Sequence, residues 1–188
     1  MMTAEFEKLK EICLSCEKCE LCKGRRNVVF GVGNPNAKVM FVGEGPGEQE
    51  DIQGEPFVGK SGQLLDKYLE IIDLSRKDNI YIANIVKCRP PQNRDPKPEE
   101  QDACIDYLRK QVKLIQPKII VCLGRIAAQR LISPDFRVTS RHGQFIEKGG
   151  ILFMGTFHPS ALLRNPTNKP AALSDFQALR DKIKELSL

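Results

Sequence analysis

No apolar run in this sequence approaches the length of about 20 residues that a helix needs to cross a bilayer. The opening MMTAEFEKLKEIC also lacks the apolar core of a secretion signal. Together these absences argue against a spanning or exported protein, and the expectation is a cytoplasmic chain with no membrane partner. Histidine is scarce, at 2 residues in 188, so any imidazole chemistry falls to His142 or His158. Either alone is weak grounds for a site, because an isolated histidine is more often structural. No internal repeat or linker divides the chain, and 188 residues, 41% of them hydrophobic, suffice for one well-packed domain but are short for two.

Cysteine, by contrast, is plentiful. Seven thiols in an intracellular chain suit metal ligands or buried core positions better than disulfides, and an odd number cannot all pair. A net charge of +5 (29 Lys and Arg against 24 Asp and Glu) is compatible with a polyanionic partner without establishing one.

The stretch from Val39 to Gly62 organises the rest. Val39 to Val42 form an unbroken apolar run, as in a strand buried on both faces. Gly43, Gly45 and Gly47 then let the backbone turn and approach a ligand, while Glu44, Glu48, Glu50 and Asp51 make the loop too acidic to cradle phosphate. Residues GEPFVGKS from Gly54 match the phosphate-loop pattern, yet polar residues precede them and Pro56 removes a cradling N–H, so the match is taken as accidental.

Residues 3 to 22 read as a helix with Cys13, Cys16, Cys19 and Cys22 at three-residue steps. These are either core thiols or part of an iron-sulfur site. Cys13 and Cys22 would stand about 13 Å apart along an intact helix, so two at most should bind metal. Further strands are expected at 80–86, 118–124 and 151–156, and helices at 61–72 (capped by Ser61), 98–115, 125–132 and 173–186. Strands separated by helices predict a three-layer α/β/α single domain, residues 1–188, around a mainly parallel four-stranded sheet. Asn84, the basic proline-rich loop after Cys88, and the turn His158-Pro159-Ser160 fall where parallel sheets present functional groups. With Phe57 they suggest a pocket for a flat polar ring: an aromatic face, an amide to pair with one edge, and an imidazole to donate to an oxygen gaining charge.

These residues resemble the family 4 uracil-DNA glycosylases, iron-sulfur enzymes of bacteria and archaea. The resemblance rests on Val29-Phe30-Gly31, GEGPG at 43–47, GEPFVGKSGQLL from 54, NIVKCRPPQNR from 84 and FHPSALLRNP from 157. It implies base excision repair of DNA damage: a hydrolase that flips uracil from single- or double-stranded DNA and cleaves its N-glycosidic bond, acting as a monomer and, in a prokaryote, at the nucleoid. Phe57 becomes the stacking ring, Asn84 the reader of the uracil edge and His158 the main catalytic residue. Gly45 completes the pocket, Glu44 lies beside it, and Glu50 is similar to the residue that excludes thymine. Where the best-known uracil glycosylases place an Asp in the first motif, this chain has Gly45, so water activation stays unassigned between Glu44 and a largely dissociative step driven by the leaving anion and the DNA phosphates.

The resemblance further implies a 4Fe-4S cluster on Cys16, Cys19, Cys88 and Cys104, tying the N-terminal helix to the 88–104 loop. Cys13-Cys16 and Cys19-Cys22 share the ligand spacing and stay open as alternatives. For DNA it implies a wedge at Leu162, with Leu163 or Arg164, and phosphate contacts from Ser160, Lys87, Arg89, Arg94 and Arg141. A competing expectation is a non-catalytic iron-sulfur DNA-binding protein related to the glycosylase-like domains of some phage polymerases.

Overall fold

The structure is a computed structural model that describes residues 4–188. Residue 3, where the first helix was expected to begin, lies outside them. Six strands form one sheet: β1 (Val32–Gly33), β2 (Val39–Gly43), β3 (Ile80–Asn84), β4 (Ile119–Leu123), β5 (Phe145–Lys148) and β6 (Ile151–Thr156). Their order across the sheet is β1-β3-β2-β4-β6-β5. The inner four run parallel, and β1 and β5 pair antiparallel at the edges.

The helices are α1 (Ala4–Leu14), α2 (Glu48–Gln53), α3 (Lys60–Ile71), α4 (Pro98–Ile115), α5 (Arg125–Leu131), α6 (Val138–Arg141), α7 (Pro159–Arg164) and α8 (Lys169–Glu185). Alternation along the strands sends side chains to two separate cores. Met40 and Val42 join Phe6, Leu9, Leu108 and Ala128 on the face covered by α1, α4 and α5. Val39 and Phe41 join Leu65, Leu69, Leu162 and Phe176 under α3, α7 and α8. That is the three-layer α/β/α architecture expected. Among the described residues no helix is long and apolar enough to cross a membrane.

Three expectations need correction. The sheet has six strands rather than four, because β1 is two residues inside a turn-rich segment and β5 pairs on one side only. The cysteine-bearing helix stops at Leu14 instead of continuing to 22. Ser15 Oγ bonds back to the carbonyls of Glu11 and Ile12, competing with the helix ladder, and a separate 3-10 turn spans Glu20–Lys23. Ser61 does not cap α3, whose cap is Gly59.

The chain leaves β2 for β3 on one side and returns to β4 on the other. The crevice at the C-terminal ends of β2 and β4 is therefore a topological switch point, where open α/β sheets bind ligands.

Candidate active site

A cavity of about 670 Å³ opens at that crevice, lined by Glu44, Gly45, Phe57, Asn84, Gly124 and His158 among others. Phe57 reaches it from a loop held in an uncommon conformation, φ +54°. The first turn of α3 lies directly on this loop, since a Cβ at Gly62 would stand 1.8 Å from the Phe57 carbonyl oxygen. Arg76, ion-paired to Asp66 at 2.8 Å, donates to the carbonyls of Pro56 and Phe57, both at 2.8 Å. The strained backbone is thereby fixed, and the Phe57 ring stands 5.6 Å from the His158 imidazole. Gly43 leaves room for both neighbours: a Cβ there would fall 2.6 Å from Phe57 Cζ and 2.5 Å from Asn84 Oδ1.

Asn84, the last residue of β3, is 1% exposed, and its Oδ1 is buried without a hydrogen-bond partner. An orphaned amide oxygen is costly, and here it borders an open cavity.

His158 caps α7. The backbone N–H of Ser160 donates to its Nδ1 at 3.1 Å, and Ser160 Oγ lies 2.7 Å from the same nitrogen. A backbone amide can only donate, so Nδ1 is the acceptor and the neutral ring carries its proton on Nε2. Burial, with Arg164 adding to it, lowers the pKa to about 4. The Glu44 carboxyl moves the other way, pushed up to about 7 by burial and by Asp95, against the pull of Arg125 and Arg164.

Glu50 is engaged in building the wall. Its carboxylate accepts from the N–H groups of Gly47, Val58 and Gly59 at 3.0–3.1 Å, tying α2 to the Phe57 loop. At Gly45, a Cβ would meet Val86 Cγ2 at 2.7 Å.

The DNA-facing expectations divide. Lys87 is corrected: it is 1% exposed, with Nζ bonded to the Asn84 carbonyl at 3.1 Å and to Gln111 Oε1 at 2.7 Å, and burial lowers its pKa to about 8. Leu162 is corrected too, because α7 turns it into the core at 2% exposure while Leu163 is 42% exposed. Arg94 forks onto Glu100, Arg89 lies 3.8 Å from Glu48, and Arg141 packs over the Phe136 ring. Arg164 is exposed at the cavity rim.

Cys13, Cys16, Cys19, Cys22, Cys88 and Cys104 line a second, small pocket between the N-terminal segment and α4. Arg25 donates to the Cys16 carbonyl at 2.6 Å and to Cys88 Sγ at 3.5 Å, and the Lys87 N–H donates to Cys104 Sγ at 3.3 Å. Among the described residues no group of three or more His, Cys, Asp or Glu side chains is placed to hold a metal ion. Cys122 is buried in β4, away from this pocket.

The family model of the uracil DNA glycosylase superfamily matches residues 30–182. The chain belongs to that superfamily. It is 47% identical over 174 residues to the Type-4 uracil-DNA glycosylase of Archaeoglobus fulgidus, covering 88% of this chain and 87% of that one. With the Type-4 uracil-DNA glycosylase of Sulfurisphaera tokodaii it shares 45% over 186 residues, 94% and 84% of the two chains. A Type-4 relative from Thermotoga maritima is 43% identical over 184 residues. The superfamily match takes in all six strands and both sides of the cavity.

Within this superfamily member, sequence reasoning missed the supports of the site. Asp175 of α8 accepts from Thr156 Oγ1 at 2.5 Å and pairs with His142 Nδ1 at 2.8 Å, anchoring the end of the strand that delivers His158. Its signal was present: an acid aligned with Ala172, Phe176 and Leu179 on the buried face of a helix. The Arg76 brace on Phe57 had no comparable signal.

Proposed function

We propose that this chain is a uracil-DNA glycosylase that extrudes uracil from DNA into the cavity and hydrolyses its N-glycosidic bond, leaving an abasic site. The observation that carries the reading is the neutral His158, with its proton on Nε2, sharing one cavity with the Phe57 ring and the orphaned Asn84 amide. A target atom inside the stack cannot be reached, so the base must be flipped out. Phe57 stacks on the uracil ring and Asn84 pairs with its polar edge. As the bond from N1 to C1′ stretches, its electron pair passes to the base and charge gathers on O2. The His158 Nε2–H donates to that oxygen, and a group of this kind contributes about 10²–10³ in rate. Water then bonds to C1′ of the oxocarbenium-like sugar and loses a proton. Glu44, its pKa pushed up to about 7, orients that water or takes the proton.

Cys16, Cys19, Cys88 and Cys104 would hold a 4Fe-4S cluster. The donor set fits: soft thiols in one pocket, with N–H donors on Cys88 and Cys104. Each thiolate of such a cluster binds a different iron, so the four need not close on a point as single-ion ligands do. When bound, the cluster supplies a covalent tie between the N-terminal segment and the basic loop. Leu163, exposed on α7, is the wedge that fills the gap left by the flipped nucleotide, and Arg164 is a phosphate contact. The protein works as a single-domain monomer in the cytoplasm, at the nucleoid.

The test is cleavage of an oligonucleotide containing one uracil, with thymine and cytosine controls, by wild type and His158→Ala under anaerobic conditions. Release of uracil alone, lost about 10²-fold or more in the variant, is expected. Iron-bearing protein that binds DNA but releases nothing would overturn the reading in favour of a non-catalytic DNA-binding protein.

A further inference from the structure

The peptide planes on either side of the Phe57 Cα are both gripped by charged side chains. The guanidinium of Arg76 donates through Nη1 to the Pro56 carbonyl and through Nη2 to the Phe57 carbonyl, each at 2.8 Å. From the other side, Glu50 Oε1 accepts from the N–H of Val58 at 3.0 Å and from that of Gly59 at 3.1 Å. The Phe57 carbonyl and the Val58 N–H belong to one peptide group, so that plane meets a cation at its oxygen and a carboxylate at its hydrogen. Because φ and ψ are rotations of the two planes that join at Cα, these contacts fix both dihedrals of Phe57. Its φ of +54° lies in a region that a bulky residue rarely adopts and that persists only where the surroundings impose it.

The two grips are themselves anchored. Arg76 meets Asp66 of α3 through Nε at 3.0 Å and through Nη2 at 2.8 Å, and its side chain is only 16% exposed. Glu50 Oε2 accepts from the Gly47 N–H at 3.1 Å, so both of its oxygens are engaged. Glu50 lines the cavity, whereas Arg76 lies behind the loop and is not among the lining residues. Hydrogen bonds with one charged partner are the strong ones, and the planar fork of arginine suits two neighbouring carbonyls in a way that a lysine ammonium does not.

We propose that Arg76 is a positioning residue for base recognition: working against Glu50, it holds the backbone at Phe57 so that the ring presents its face to a flipped uracil. This rests on the stacking role proposed for Phe57 above. Without the guanidinium the two carbonyls lose their donor, the plane is free to turn, and the ring leaves its place while the rest of the cavity stays. The consequence is selective: affinity for the base falls and affinity for the DNA backbone does not.

The test measures binding of two oligonucleotides of one sequence, carrying either cleavage-resistant 2′-fluoro-2′-deoxyuridine or a tetrahydrofuran abasic site, to wild type, Arg76→Met, Phe57→Ala and the double variant. Arg76→Met, which keeps an apolar stem without donors, should bind the uracil oligonucleotide about five- to tenfold more weakly, part of the worth of stacking a base on an aromatic ring. It should bind the abasic oligonucleotide as wild type does. In the Phe57→Ala background the same change should cost nothing further, because the arginine acts through the ring. Equal losses on both oligonucleotides, or a loss undiminished in the double variant, would mark general support of the fold and overturn the proposal, and so would unchanged affinity. Arg76→Lys, which keeps the charge but not the fork, replaces the methionine variant if that does not fold. Failure of both to fold overturns the proposal, since the arginine would then serve the whole domain. If Phe57→Ala binds both oligonucleotides as wild type does, the stacking reading falls together with this inference. A uracil-specific loss in Phe57→Ala that Arg76→Met lacks removes this inference alone.

Discussion

The backbone N–H of Ser160 points its proton at Nδ1 of His158, 3.1 Å away, and this one contact decides which imidazole nitrogen faces the cavity as a donor. Because the donor is main chain, Ser160→Ala keeps it and loses only the hydroxyl bond. Single-turnover rates should fall by about tenfold or less in Ser160→Ala, the worth of one neutral hydrogen bond. A loss as large as that of His158→Ala would show that the hydroxyl, not the amide, sets the tautomer.

The pH profile should separate the two titrating groups of the cavity. His158, with a pKa of about 4, stays neutral across the neutral range, so it adds no limb there. A limb near pH 7 belongs to Glu44, and kcat/KM should rise through it and flatten in Glu44→Gln. Stability follows the opposite signs. The Glu44 value is raised from 4.5 to about 7, so the folded state binds more protons between them, and this contribution is present below pH 4.5 and lost as pH rises through 7. The His158 value is lowered from 6.5 to about 4, so its contribution is present above pH 6.5 and lost as pH falls toward 4. Denaturant midpoints of Glu44→Gln and wild type at pH 5 and pH 8 check the first sign.

Gly43→Ala should abolish base recognition while leaving the fold. The added methyl meets the ends of two side chains, Asn84 and Phe57, and no backbone is within the closest contacts. Displacing either by about 1 Å costs on the order of 10²-fold in rate. Gly62→Ala meets the Phe57 main chain itself and should lower Tm as well. Paired activity and melting measurements distinguish the two.

The two adjacent leucines of α7 should behave differently. Leu162→Ala should lower stability by about 2–5 kcal/mol, since its side chain is core. Leu163→Ala should leave the melting curve unchanged and weaken flipping in duplex DNA more than excision from a single strand, read by 2-aminopurine fluorescence opposite the lesion.

Much of the fold was legible because the four inner strands are largely apolar runs with helices between them, and α4 lies at 98–115 as the helical spacing indicated. The edge strands were not, since a strand paired on one side needs no apolar alternation. The motifs of Phe57, Asn84 and His158 marked residues that do share one cavity. Lys87 was misread for a physical reason: a lysine in a basic run looks solvated, and its burial depends on Gln111, 24 positions away in the chain. Leu162 was misread because the rotation of a one-and-a-half-turn helix decides which of two neighbouring leucines is covered.

Val86, fully buried, occupies the space into which a side chain at position 45 would grow. An acid at that position is therefore closed to this chain through a single change. Gly45→Asp alone must push Val86 aside, and trimming Val86 alone opens a void, so each step is harmful and only the pair can be tolerated. The two positions are coupled, and a gain of activity by single changes must come through other groups in the cavity.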